Sequence, residues 1–326
     1  MYLDKSNDEF RNDVLNGLKQ PLQKSTPSKY LYDNRGSQLF ELITDQPEYY
    51  PTRTELSILK QNASEITDKI TKEIILIELG SGSSKKTRYL FPEILKNQNK
   101  LIYFPIDISF NFLDSTVADL ESFHENLTVK GIPNDYVNGI KECNNILFEN
   151  NYNFESSARL ILFLGSSIGN FEPEDARDFL KQIRLTMYDD DLLLVGFDLI
   201  KAEEVLERAY NDKAGYTADF NLNLLHRINR ELGANFDVNN FEHLALYNTR
   251  QNRIEMHIKS KIDQFIHLKG CKDSIPIKKG ESIHTESSYK YDEQKIENLA
   301  SRSGFLVEQN FRDDKNWFNL VLFRPS

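Results

Sequence analysis

The chain has 326 residues, 39% of them hydrophobic, and a formal net charge of −10; it can bury a large core and exceeds one average domain, so two domains or one with an insertion are expected. The acidic balance, with no recurring basic cluster, argues against nucleic acid as a partner and suits a small or cationic substrate. Two distant cysteines, Cys143 and Cys271, six scattered histidines, a charged first thirty residues and no apolar run of about 18 residues indicate no disulfide framework, metal site, export signal or membrane span, so a cytoplasmic home is expected.

In chain order, residues 1–70 read as helical: Asp8 to Gln20, Gly36 to Thr44, and Thr52 to Ile70, with turns at Pro21, Pro27 and Pro47. Thr52 and Glu55, three positions apart after Pro51, have the arrangement of a capping box. From Glu73 strands and helices alternate. Strands are expected at Ile74–Leu79, Leu101–Asp107, Leu127–Gly131, Leu160–Leu164 and Leu192–Phe197, and helices from Ser84, at Phe112–Phe123, near Val137–Asn144 and at Pro173–Met187. Alternation at this spacing argues for a parallel, doubly wound α/β sheet.

After Asp198 the rhythm breaks. Lys201–Asn211 and Phe220–Glu231 read as helices, followed by strand-like His243–Tyr247, Arg253–Ile262, Gln264–Leu268 and Ser287–Tyr291. A helix at Asp292–Ser303 returns before a closing hairpin, Phe305–Phe311 and Trp317–Phe323, which would make the last strand antiparallel to the rest.

The most informative stretch is EIILIELGSGSSKKTR, residues 73–88. A strand buried on both faces runs into a turn where Gly80 and Gly82 let the backbone bend sharply and approach a ligand. Such turns present ligands at the carboxyl end of the first strand of an α/β sheet. Asp107 ends the neighbouring strand, where a carboxylate can accept both hydroxyls of a ribose, so the expected ligand contains adenosine. Residues 80–87 approach a phosphate-binding G-x-x-x-x-G-K-[ST] loop, but Lys85 stands where the second glycine is needed; it also occupies the third glycine position of G-x-G-x-x-G. S-adenosylmethionine fits better. It carries no phosphate and asks for a tight glycine turn, an acid near its methionine end (Glu78) and an acid on its ribose (Asp107).

The blocks KYLYDNRGSQLFELITDQPEYYPTRTE (29–55), IELGSGSSKKTRYL (77–90), FLGSSIGNF (163–171), AYNDKAGYTADFNLNLLHRINREL (209–232), RIEMHIKSK (253–261) and TESSYKY (285–291) closely resemble the histidine-specific Nα-methyltransferases, from about residue 29 to the C-terminus. That family makes hercynine, the trimethylammonium betaine of histidine, in ergothioneine biosynthesis, and includes relatives acting on other amino acids. The resemblance implies a class I Rossmann-like methyltransferase sheet with a second, inserted α+β substrate domain. It suggests residues 1–70 as a helical cap contributing to the substrate site, 71–200 with 286–326 as the donor-binding domain, and 201–285 as the insert. S-adenosylmethionine would be the methyl donor, with no metal, and a small-molecule amino acid the partner, with neither nucleic acid nor membrane involved and a monomer favoured. Carried over residue by residue, the donor site would add Tyr49, Lys86, Asp135 and Tyr136 to Glu78, Gly80, Gly82 and Asp107. The amino-acid site would use Tyr32, Phe40, Tyr49, Gly165, Asn170, Tyr210, Thr217, Met256, Glu286 and Ser288, with Asn170, Tyr32 and Tyr210 as catalytic candidates.

The chemistry gives these residue types reasons. Methyl transfer to an amine needs position and a neutral nitrogen more than acid–base machinery. Asn170 and Tyr210 can hold a carboxylate by hydrogen bonds. Aromatic faces at Tyr32, Phe40 and Tyr49 can hold successively methylated, cationic amines, although Phe40 lies beside Leu39 and Ile43 on a helix that could bury it in the core. Glu286 and Ser288, two apart on one strand, share a face and can bind the two nitrogens of an imidazole, with Met256 supplying an adaptable apolar contact. The sequence departs from the family at Ser287, usually aliphatic, and at Tyr289, usually small. Two alternatives stay open: the same fold acting on another amino acid or amine, and a non-catalytic S-adenosylmethionine-binding protein.

Overall fold

The structure, a computed structural model, describes residues 2–153 and 155–326. The chain divides into two compact units, one made of the chain up to Tyr50 with Lys201–Ser288, the other of Pro51–Ile200 with Tyr289–Ser326.

The second unit is built on one sheet. Its strands are β1 (Glu73–Leu79), β2 (Leu101–Ile106), β3 (Leu127–Val129), β4 (Ser157–Phe163), β5 (Leu192–Asp198), β6 (Phe305–Arg312) and β7 (Phe318–Pro325), in the spatial order β3-β2-β1-β4-β5-β7-β6. The first five pair in parallel, and β7 runs antiparallel to both β5 and β6. Strand β1 shows why the sheet forms. Ile75, Ile77 and Leu79 enter one apolar layer with the helices Tyr136–Glu149, Pro173–Arg184 and Glu293–Arg302. Ile74 and Leu76 enter the opposite layer, with Ile58, Leu59, Ala63 and Ile66 of the helix Tyr50–Asp68. A strand branched and apolar at both parities is stable only between two such layers, and each fully buried side chain contributes about 1.5–3 kcal/mol.

The order reverses beside β1, whose neighbours are β2 and β4. The crevice outside the carboxyl ends of strands at such a reversal is where open α/β sheets bind ligands. Three details differ from the sequence reading. The helix after the glycine turn does not start at Ser84, which has a positive φ of 51°; a 3-10 turn, Thr87–Tyr89, precedes a helix only at Phe91–Asn97, where Pro92 favours the first turn. The helix expected from Thr52 begins at Tyr50, so Thr52 lies inside it, and Glu55 has another role, below. Residues 51–70 group with the sheet because Ile58, Leu59, Ala63 and Ile66 cover it, whereas 286–288 group with the other unit.

The first unit has a four-stranded sheet ordered Lys24–Ser25, Ser282–Tyr289, Arg253–Ser260, Phe241–Asn248. The strand carrying Glu286 therefore begins at Ser282, five residues earlier than read. Helix Asn34–Thr44 packs on helix Tyr216–Leu232. Asp33 joins them: it caps the first by accepting from the Gly36 N–H at 2.8 Å and also accepts from Asn223 Nδ2 at 2.8 Å and Arg230 Nη2 at 2.6 Å in the second. Among the described residues, no helix is long and apolar enough to cross a membrane.

Candidate active site

In the sheet unit the glycine turn is held from several sides. Gly80 and Gly82 have positive φ angles of 67° and 50°, open to glycine at little cost. The Gly80 and Ser81 N–H groups donate to the Ile106 carbonyl at 2.9 and 3.1 Å, which ties the turn to the end of β2. Thr116 Oγ1 donates to the Gly82 carbonyl at 3.0 Å. A side chain at Gly80 would meet the Tyr136 hydroxyl at 3.3 Å, so glycine also leaves that space open.

Asp107 follows β2 with its carboxylate already oriented, Oδ2 accepting from the Gly82 N–H at 3.1 Å and Oδ1 from the Ser109 N–H at 2.9 Å. The Ile108 N–H also bonds to this carboxylate, so three of its roughly four acceptor sites are used and one remains for a further donor. Burial pushes its carboxyl above the usual range, and those backbone bonds oppose the shift. Tyr136 stands beside it, its hydroxyl raised by burial and then by the charge of Asp107. Asp135 is exposed and caps the helix Tyr136–Glu149, accepting from the Asn138 N–H at 3.0 Å. Glu78 turns inward. It accepts a hydrogen bond from Tyr103, whose hydroxyl also meets Ser84 Oγ at 2.8 Å, so the acid braces the turn from within the sheet. Burial pushes its carboxyl up to about 7 despite that bond and the nearby Lys86.

Lys86 pairs with Glu55, whose two oxygens also accept from the Gly165 N–H at 2.8 and 2.9 Å. Sequence reasoning missed Glu55 as a site residue, because its spacing from Thr52 suggested a cap. The one available signal was Gly196 in the interior of β5, where an added Cβ would collide with the Glu55 carboxylate. Gly165 itself, at φ 78°, opens the turn after β4, and Asn170 ends the 3-10 turn Ser167–Asn170 that follows.

The other unit gathers a second set. Tyr32, Phe40, Tyr49 and Tyr210 form a chain of edge-on rings, with centroids 5.6 Å apart from Tyr32 to Phe40, 6.2 Å to Tyr49 and 6.2 Å on to Tyr210. Phe220 joins at 5.3 Å from Tyr32. Phe40 is thus half-buried among these rings, while Leu39 and Ile43 take the core face of the same helix. The Tyr210 hydroxyl donates to Ser288 Oγ at 2.8 Å. Glu286 and Ser288 are 7% and 5% exposed, and Met256 and Thr217 are buried as well. Asp212 sets the start of the helix bearing Thr217 by accepting from the Tyr216 and Thr217 N–H groups at 2.9 and 2.8 Å. Burial alone would raise its carboxyl, but hydrogen bonding outweighs it and leaves the group below the usual range.

His243, also missed, fixes the backbone of Tyr210. Its Nε2 lies 2.9 Å from the Tyr210 carbonyl, which can only accept, so that nitrogen carries the proton. Burial lowers its pKa, which favours the neutral ring. The two departures from the family pattern acquire roles. The Ser287 hydroxyl meets His284 Nε2 at 3.1 Å, and Tyr289, in the sheet unit, packs into its apolar layer and donates to Glu172 Oε2 at 2.5 Å.

The strand order with an antiparallel seventh strand, the glycine turn after β1 and the oriented acid after β2 define a class I methyltransferase that uses S-adenosylmethionine. The residues at the turn suit that molecule, whose ribose diol and single carboxylate would take an oriented carboxylate such as Asp107 and an ammonium such as Lys86. Among the described residues, no group of three or more His, Cys, Asp or Glu side chains could hold a metal ion. The profile of the family described as histidine-specific methyltransferase, SAM-dependent, matches residues 10–325, and the chain belongs to that family. It is 34% identical over 313 residues to the histidine N-alpha-methyltransferase of Mycobacterium tuberculosis, covering 96% of this chain and 94% of the relative. The enzyme of the same description from Mycolicibacterium smegmatis is 34% identical, with 98% and 96% covered. The L-tryptophan methyltransferase of Psilocybe serbica is 28% identical, with 98% and 94% covered. The chain is therefore an S-adenosylmethionine-dependent N-methyltransferase.

Proposed function

We propose that this enzyme methylates the α-amine of free L-histidine, up to three times, to give the trimethylammonium betaine hercynine. The observation that carries the reading is the pair Glu286 and Ser288. They share a face of one strand and are buried, and Ser288 is oriented by the phenol of Tyr210. A buried carboxylate and hydroxyl so spaced match the two nitrogens of an imidazole; an indole, with one ring N–H and no second ring nitrogen, would pair with only one of them, and an aliphatic side chain with neither. The family and the two histidine N-alpha-methyltransferases at 34% identity support the same substrate.

In this reading Gly80, Gly82, Lys86, Asp107, Asp135 and Tyr136 hold the donor, with Glu78 bracing the turn. S-adenosylmethionine supplies a methyl carbon on a positively charged sulfur. Tyr210 and Asn170 hold the substrate carboxylate, which aims the α-nitrogen lone pair for in-line displacement. One N–C bond forms as one S–C bond breaks, and the nitrogen loses a proton to solvent before each further transfer. Tyr32, Phe40 and Tyr49 offer ring faces to the increasingly methylated cation, each worth about 0.5–2 kcal/mol. Gly165, Thr217 and Met256 complete the amino-acid site.

The test is incubation of the full chain with S-adenosylmethionine and each of the twenty amino acids, followed by mass analysis. Histidine gaining one, two and three methyl units, with the other amino acids unchanged, is the expected result. Methylation of tryptophan or another amino acid in preference to histidine would overturn the substrate, and a histidine product stopping at one methyl would overturn trimethylation.

A further inference from the structure

Glu55 is a charged side chain with no exposed surface, on a helix that buries Ile58, Leu59, Ala63 and Ile66 in the apolar layer against the sheet. Burying a carboxylate costs several kcal/mol unless its lone pairs are matched, and a well-packed apolar residue usually serves stability equally well. Here four elements are arranged around it. Helix Tyr50–Asp68 supplies the carboxylate, the segment after β1 the Lys86 ammonium, and the turn after β4 the Gly165 N–H. Strand β5 supplies empty space, because Gly196 has no side chain where the carboxylate lies. The result is asymmetric: Glu55 is closed off, whereas the Lys86 side chain keeps 21% of its exposure. A cation so held has a fixed position and a free side.

We propose that Glu55 is a positioning residue of the donor site, fixing both the Lys86 ammonium and the Gly165 turn. Lys86 receives the α-carboxylate, the only anionic group of S-adenosylmethionine, and Glu55 acts through it. A lysine on a flexible four-carbon stem loses rotamer freedom when it binds an anion. Pairing with a buried carboxylate fixes it beforehand, so less of the interaction is lost to ordering when the donor binds. The double acceptance from the Gly165 N–H holds that turn in its positive-φ form, linking the ammonium to the start of the segment that leads to Asn170. The inference deepens the function proposed above and rests on its donor assignment, not on histidine as acceptor.

The measurement is the affinity for S-adenosylhomocysteine by isothermal titration, which needs no methyl acceptor and so stands even if histidine is not the substrate. Glu55→Gln keeps the volume and an acceptor for the Gly165 N–H but removes the charge. It should weaken S-adenosylhomocysteine binding about tenfold and raise the donor KM more than it lowers kcat, while Glu55→Asp recovers part of the loss. Lys86→Met should weaken binding at least as much, and the double variant should match Lys86→Met alone, since the two losses share one path. Glu55→Gln binding within twofold of the parent, or additive losses in the double variant, would overturn the proposal. If Glu55→Gln does not fold, Lys86→Met decides: normal affinity there would make Glu55 a purely structural charge.

Discussion

Tyr210→Phe removes one oxygen from the substrate-side unit and leaves its packing in place. The ring keeps its contact with Tyr49 at 6.2 Å, and the peptide carbonyl of Tyr210 keeps its bond to His243. What is lost is the bond to Ser288 at 2.8 Å, between two buried groups. A neutral hydrogen bond contributes about 1 kcal/mol net, so the melting midpoint of a chain this long should fall by about 1–2 °C. The kinetic loss should be larger, because the same phenol is assigned to the substrate carboxylate. Hydrogen bonds to a charged group contribute about 1.5–3 kcal/mol, which corresponds to a drop of about 10- to 150-fold in kcat/KM for histidine. Steady-state assays by mass spectrometry at saturating donor, beside a thermal melt, separate the two effects. A kcat/KM within twofold of the parent with the melt lowered as expected would refute the carboxylate role and leave Tyr210 as a structural partner of Ser288.

Glu286→Ala should reduce histidine kcat/KM by at least about 100-fold, because the imidazole loses a charged partner, while S-adenosylhomocysteine affinity stays within twofold; competition assays with histidine and tryptophan read the change in preference directly. Lys290→Met leaves Asp198 buried beside a missing charge, since the pair sits at 2.8 Å with both side chains at most 1% exposed. It should cost about 3–5 kcal/mol in denaturant unfolding, with Asp198→Asn/Lys290→Met recovering part of the loss. Acid should destabilise the substrate-side unit in two steps. Burial and the charges of His257 and Arg253 lower His284 from 6.5 to about 4, so it stays neutral in the fold where the unfolded side chain takes up a proton. Stability is therefore full above pH 6.5 and falls as the pH drops toward 4. Glu255, which burial alone would raise, is brought from 4.5 to about 2 by hydrogen bonds from Asn248, Arg253 and His257, and adds a second loss below pH 4.5. Melting midpoints across pH 8 to 3 give the curve, and His284→Asn should flatten its upper limb.

What the sequence revealed depended on how local the determining forces are. The branched run Ile74–Leu79 before a glycine pair specifies a two-faced buried strand and a tight turn within a few residues, so β1 and its turn were legible from composition and spacing. Strand Ser282–Tyr289 was only half legible: Ser282 and His284 are polar, and they are half-buried because His284 packs against His257 of the neighbouring strand at 5.0 Å. Glu55 was misread for the same reason at longer range. A glutamate three positions after a threonine is an ordinary cap, and nothing within several residues reveals that Gly165 and Gly196, more than a hundred positions away, have made room for its carboxylate.

The sheet unit contains another buried ion pair that sharpens the distinction between a structural charge and a placed one. Arg159 and Asp191 are both at most 2% exposed. The guanidinium donates four of its five N–H groups, to Asp191 from both Nε and Nη2, to Asn144 Oδ1 and to the Thr186 carbonyl at 2.7 Å, and lies 4.8 Å from the Tyr188 ring centroid. It also lies where β4 and β5 begin, away from the carboxyl edge, and its side chain is only 1% exposed. Lys86 is bound on one side and open on the other, at the edge where strand order reverses. A buried charge whose partner is complete belongs to the fold, whereas one that leaves its partner half exposed at a ligand-binding edge is arranged for something that binds there. By that criterion the capacity proposed for a donor carboxylate depends on Glu55, a helix residue whose carboxylate reaches both Lys86 and the turn at Gly165.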